Sequence, residues 1–225
     1  MRLAVCAGLF AAALSWAVSA AEVPVPRNYG QAMSWYQRAA EAGNPNAQFY
    51  LGLMYETGVR GNDPAVAAQW YRKAAEQGHV EAQARLGVLH YKGLGVGQSY
   101  AEALRWYSLA AEGGSPRAQY NLGLMYERGQ GVEADGNKAA ELYEKASDAG
   151  VAEARLNLSI LFARGTGVER APARALMWLE MAAASGLPVH DSVRKGLIGE
   201  LTPAQVEEAK RMASERLAKS ANYNE

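Results

Sequence analysis

The chain has 225 residues, in which 23 Lys and Arg balance 23 Asp and Glu, and 49% of residues are hydrophobic. That balance excludes a broad polybasic surface of the kind that holds nucleic acid or an anionic membrane by charge alone. A single cysteine, Cys6, excludes an internal disulfide framework.

Met1-Arg2, the apolar run Leu3 to Val18 and the small residues Ser19-Ala20-Ala21 have the n-region, h-region and cleavage site of a secretory signal over residues 1–20. Cleavage after Ala20 is expected, leaving a periplasmic or secreted chain without cysteine. A retained anchor is not expected, since a spanning helix needs about 20 apolar residues. Residues 21–27 hold Pro24 and Pro26 and read as an extended tether, because proline fixes its own φ and restricts the residue before it. Residues 28–43 then read as one helix with Ala32, Trp35, Tyr36 and Ala39 on its apolar face, an N-terminal half-repeat.

Whole repeats follow. Leu51-Gly52-Leu53-Met54-Tyr55, Leu86-Gly87-Val88-Leu89-His90, Leu122-Gly123-Leu124-Met125-Tyr126 and Leu158-Ser159-Ile160-Leu161-Phe162 recur every 35 or 36 residues. A second register runs beside them through Trp70-Tyr71, Trp106-Tyr107, Leu142-Tyr143 and Trp178-Leu179. Such a period marks a helical solenoid, whose units are 44–78, 79–114, 115–150 and 151–186.

Each unit reads as helix A, a glycine loop and helix B. Asn44-Pro45 and Ser115-Pro116 supply an N-cap acceptor followed by proline at the first helical position. The loops Gly93-Leu94-Gly95-Val96, Gly129-Gln130-Gly131-Val132 and Gly165-Thr166-Gly167-Val168 permit a left-handed backbone; the first repeat deviates as Gly58-Val59-Arg60-Gly61. In the third repeat Ala118, Leu122, Met125 and Tyr126 form the core stripe, and Gly123 beside it admits a neighbouring helix closely. Helix B ends at Gly78, Gly114, Gly150 or Gly186.

These residues resemble the Sel1-like repeat, a relative of the tetratricopeptide repeat with a longer interhelical loop. The resemblance implies an all-α, right-handed α-solenoid of helix-loop-helix repeats that binds other proteins, often in signalling or cell-envelope assembly. The third repeat is nearly a consensus copy. The fourth departs with Ser159 for glycine and Leu179 for tyrosine, which implies a looser or differently packed end. Residues 187–225 are expected to cap the array, with a short helix within Val189 to Gly199 and a capping box, Thr202-Pro203-Ala204-Gln205, before a helix from Pro203 to about Lys219. Val206, Ala209, Met212, Ala213 and Leu217 mark the side that seals the last repeat; the alternative is a partner-binding tail.

Little in the chain suggests chemistry. His79, His90 and His190 form no ligand pair, and His90 stands where the repeat has a core tyrosine, so no metal or cofactor is expected. Ser192-Val193-Arg194-Lys195 matches the S-x-x-K of penicillin-recognising serine enzymes, but no S-D-N or K-T-G accompanies it. Gly93 to Gly97 lacks the strand and last glycine of a phosphate-binding loop. The sequon Asn157-Leu158-Ser159 falls inside a helix.

Function is therefore expected on the A-helix faces. Phe49, Glu56, Tyr91, Tyr120 and Glu127 point away from the core stripe on a helical wheel, with Tyr50, Arg85 and Asn121 on its flank. They would line a concave groove that takes a protein or peptide; alternatively, Phe49 and Tyr120 pack against the adjacent helix B. The leading expectation is a non-catalytic interaction scaffold of the bacterial cell envelope. A muropeptide- or glycan-binding modulator of wall-lytic enzymes is the second, and a serine enzyme centred on Ser192 the third.

Overall fold

The computed structural model describes residues 29–221, so the signal and tether expectations lie outside it. Every regular element among the described residues is a helix. Backbone packing divides the chain into two compact units, with the division between Ser99 and Tyr100 in the loop of the second repeat.

The first unit contains α1 (Tyr29–Glu41), α2 (Pro45–Glu56), α3 (Pro64–Glu76) and α4 (Val80–Lys92). The second contains α5 (Tyr100–Glu112), α6 (Pro116–Arg128), α7 (Gly136–Asp148), α8 (Ala152–Arg164), α9 (Pro172–Ala184), α10 (Asp191–Gly199) and α11 (Pro203–Ala221). Consecutive helices pack on one another from α1 to α4 in the first unit and from α5 to α10 in the second.

Local chemistry sets the helix ends. Asn44 Oδ1 accepts from the Ala47 amide at 3.0 Å and Ser115 Oγ from the Ala118 amide at 3.3 Å, each filling one of the first-turn donors that a helix cannot satisfy itself. Asp63 and Asp135 cap the B helices α3 and α7 in the same way. At the far end of each helix B a glycine takes positive φ, and the next amide bonds back to the third-last carbonyl; Ser115 N to Ala110 O at 2.9 Å is one case.

A further device repeats with the period. Gln48, Gln83 and Gln119 each reach back eight residues to a carbonyl closing the preceding helix B: Ala40, Ala75 and Ala111. In the fourth repeat the same position is Arg155, which bonds the Ser147 carbonyl at 3.2 Å, the Ser147 hydroxyl at 3.3 Å and the Ser185 hydroxyl. Arg155 is 7% exposed. Burial lowers its pKa, and the nearby Asp148 carboxylate opposes that shift.

The paired loop glycines hold successive hairpins together. A Cβ on Gly95 would lie 2.2 Å from the Pro64 backbone, one on Gly131 2.8 Å from that of Tyr100, and one on Gly167 2.8 Å from that of Gly136. Each loop thus rests on the first turn of the helix B one repeat earlier, an approach that any side chain would block.

The core of the first unit gathers Tyr36, Ala40, Ala47, Leu51 and Met54, with Trp35, Tyr50 and Trp70 half-buried around it. On α1 the buried positions are thus Tyr36 and Ala40, while Ala39 of the expected stripe is half-buried. The second unit buries Tyr143, Leu158, Leu161, Leu176, Trp178 and Met181 together with Leu197 of α10 and Val206, Ala209 and Ala213 of α11. The Thr202–Gln205 capping box forms, and α11 packs on α9. Met212, expected on its apolar side, is 43% exposed, whereas Val206, Ala209 and Ala213 are buried and Leu217 packs half-buried against the same core. Arg216 fixes this helix from its polar edge: it pairs with Asp148 at 3.0 Å while its guanidinium lies 4.5 Å over the Trp178 ring.

Candidate functional site

The A helices bury one side and present the other. Buried positions hardly vary between repeats: Ala47, Ala82, Ala118 and Ala154 share one register, and Leu51, Leu86, Leu122 and Leu158 the next. Positions on the flank of that stripe differ, with Tyr50, Arg85, Asn121 and Asn157 at one register.

In the first unit the expected face residues are mostly engaged with one another. Phe49 stacks on His79 with ring centroids 4.6 Å apart and tilts against Tyr71 at 5.7 Å. Tyr50 meets the edge of Tyr36 at 5.6 Å. Glu56 accepts hydrogen bonds from the Tyr71 hydroxyl and from Arg85, the latter at 3.3 Å. Burial, then the Glu56 bond, pushes the Tyr71 pKa upward, so the phenol stays a donor. Tyr91 is half-buried, and its carbonyl accepts from Gln98 at 3.0 Å.

The second unit repeats part of this arrangement. Tyr120 tilts against Tyr143 at 5.7 Å, and its hydroxyl accepts from Asn157 at 3.5 Å. The Tyr143 hydroxyl donates to Glu127 at 2.5 Å, and burial with that bond raises the Tyr143 pKa. Of the two alternatives for Phe49 and Tyr120, packing on the adjacent helix B is the contact both rings make. Asn121 differs from the others: its half-buried amide has no side-chain partner among the described residues.

Gly123 permits the Tyr143 contact, since a Cβ there would lie 2.7 Å from the ring. Asn157, Arg128 and Arg164, which lie on the same A-helix side, were not singled out by the helical wheel. Aligning them by repeat register would have found them.

The other motifs take plain places. His90 is 6% exposed, with Nε2 3.2 Å from Arg72. Ser192 and Lys195 are both exposed on the short α10, with no hydrogen bond between them. The sequon Asn157 is half-buried inside α8. Among the described residues no three His, Cys, Asp or Glu side chains are placed to hold a metal ion, and no helix is long and apolar enough to cross a membrane.

Comparison with known proteins matches this geometry. A Sel1 repeat protein from Oxalobacter formigenes is 38% identical, with a TM-score of 0.69 over 85% of this chain and 81% of that one. A protective antigen of uropathogenic Escherichia coli strains, c5321, which displays an SLR fold, is 29% identical with a TM-score of 0.52 over 88% of this chain; the match spans 51% of that protein. No curated protein sequence matches. The Sel1 repeat family model matches residues 20–44, 45–79, 80–115, 116–151 and 152–187. Five consecutive matches, on hairpins whose glycines and tyrosines interlock as described, establish that the chain belongs to the Sel1 repeat family.

Proposed function

We propose that the protein is a non-catalytic interaction scaffold of the bacterial cell envelope that binds a protein or peptide along its A-helix faces. Sel1 repeat proteins are generally protein-interaction scaffolds. The observation that carries the reading is the division of labour within helix A. Buried registers keep Ala and Leu in all four repeats, whereas the outward register runs Tyr50, Arg85, Asn121, Asn157. Packing fixes the first set, whereas the second differs in residue and contact from repeat to repeat and so can vary to suit a ligand.

The signal pattern of residues 1–20 supports the envelope assignment. Intact mass of the protein recovered from a periplasmic extract is expected to correspond to a chain starting at Ala21; a mass that retains Met1 would overturn export by cleavage. Immobilised protein is expected to capture a partner from envelope extract. Placing a ring on each face, Arg85→Trp with Asn121→Trp, is expected to abolish capture without changing helicity. Undiminished capture would remove the A-helix faces from consideration.

A further inference from the structure

Aligned by register, α6 and α8 present the same series on their outward side. Asn121, Leu124 and Arg128 on α6 correspond to Asn157, Ile160 and Arg164 on α8. The spacing i, i+3, i+7 puts each trio on one face of its helix. The asparagines and aliphatics are half-buried, and both arginines are exposed. Two contacts hold these faces side by side: Arg117 on Glu153 at 3.1 Å, and Asn157 on the Tyr120 hydroxyl at 3.5 Å.

Charge on this face is unevenly used. Glu127 already accepts the Tyr143 hydroxyl, and Glu153 is paired with Arg117. Arg128 and Arg164 have no carboxylate partner among the described residues. The helix dipole favours a cation in a last turn and would account for an arginine there. It does not account for an amide preceding the arginine at equal spacing on both helices, beside Leu124, which packs partly on the core, and Ile160. Guanidinium groups bind carboxylates through two parallel N–H bonds, and a primary amide offers one donor and one acceptor to a peptide unit.

We propose that the A-helix face of the second unit binds an acidic, extended peptide segment. Its carboxylates meet Arg128 and Arg164, its aliphatic side chains rest on Leu124 and Ile160, and its main chain bonds Asn121 and Asn157. This deepens the protein-binding reading above and rests on it. An extended segment suits the site, because its main-chain N–H and C=O groups are not used up by a helix and remain open to the asparagine amides.

The test is fluorescence anisotropy of the full chain with two labelled peptides, one alternating leucine with glutamate and one alternating leucine with lysine. The acidic peptide is expected to bind more tightly, and to weaken as salt is raised. Arg128→Glu combined with Arg164→Glu is expected to weaken it by at least about tenfold. Lys195→Glu, on α10, is expected to leave it unchanged, with circular dichroism the same for all variants. Equal affinity for the two peptides, or binding insensitive to the arginines, overturns the acidic preference and leaves the scaffold reading intact. No binding of either peptide while envelope capture succeeds has the same meaning; failure of both assays overturns both readings.

Discussion

The third and fourth repeats lie side by side in the second unit and solve one packing problem in two ways. In the third, the Tyr143 ring covers Gly123 and its hydroxyl reaches Glu127. In the fourth, the three positions are Leu179, Ser159 and Ala163. Leu179 and Ser159 are each 2% exposed, so this hairpin is as tightly closed as its neighbour. Between these two repeats all three positions differ, and all three serve the ring: glycine makes room for it and glutamate accepts its hydroxyl, although the second repeat keeps Tyr107 and Gly87 with Tyr91 in the glutamate's place. Without the phenol neither is needed, and replacing both partners of a hydrogen bond is far less harmful than removing one. The first repeat keeps the ring version, in Tyr71, Gly52 and Glu56.

Transplanting the fourth repeat's solution into the third breaks this comparison most severely. Tyr143→Leu alone removes a fully buried ring and is expected to lower stability by about 3 kcal/mol in urea unfolding. Adding Gly123→Ser and Glu127→Ala is expected to restore at least about 1 kcal/mol through coupling. Additive losses would show that the three positions vary independently. Gly123→Ser alone, with the ring still present, is expected to destabilise by about 2 kcal/mol through overpacking.

Helix starts give the next largest contrast. Ser115 and Asp135 cap both helices of the third repeat, whereas Val151 and Ala171 give the fourth no side-chain cap. Asp135→Ala is expected to cost about 1 kcal/mol, and Ala171→Asp to stabilise by a similar or smaller amount, by the same measurement. The fourth repeat offsets its bare ends with apolar bulk. Leu176, Met177, Trp178, Leu179 and Met181 are all buried on α9, under cover of α11.

The smallest effect concerns the same capping position in the first unit. Where Ser115 caps α6, His79 caps α4, its Nδ1 accepting from the Ala82 amide at 3.3 Å. Burial lowers the His79 pKa below the usual histidine value, although Glu81 pulls it upward. A group with a depressed folded pKa contributes stability that is present above its unfolded value, about 6.5, and is lost as pH falls toward the folded one. The wild-type chain is therefore expected to lose stability below about pH 6.5. His79→Ser is expected to flatten that part of the profile, and an unchanged profile would assign the pH dependence elsewhere.

Local features of this architecture were legible in the sequence, because caps, loop glycines and the Leu-Gly register depend on residues close together in the chain. Asn44, Ser115 and the Thr202–Gln205 box do what their spacing implies. Long-range polar contacts were not legible. Nothing local pairs Arg216 with Asp148, 68 residues away, or tells that Arg155 takes over the glutamine's task. The same limit applies to the A-helix faces. A helical wheel finds which side Phe49 and Tyr120 lie on, but not that each ring leans on a tyrosine from the following helix.

The loop glycines also bear on how such a chain stops growing. Gly95, Gly131 and Gly167 each settle on the opening turn of an earlier helix B, so every new hairpin needs a vacant landing place on the one before. In the last repeat the corner between α10 and α11 ties to that region, where Arg170 clasps Glu200 at 2.6 Å. That pair therefore sits beside the berth that another loop of this kind would use, and a hairpin inserted directly after α9 would have to displace it.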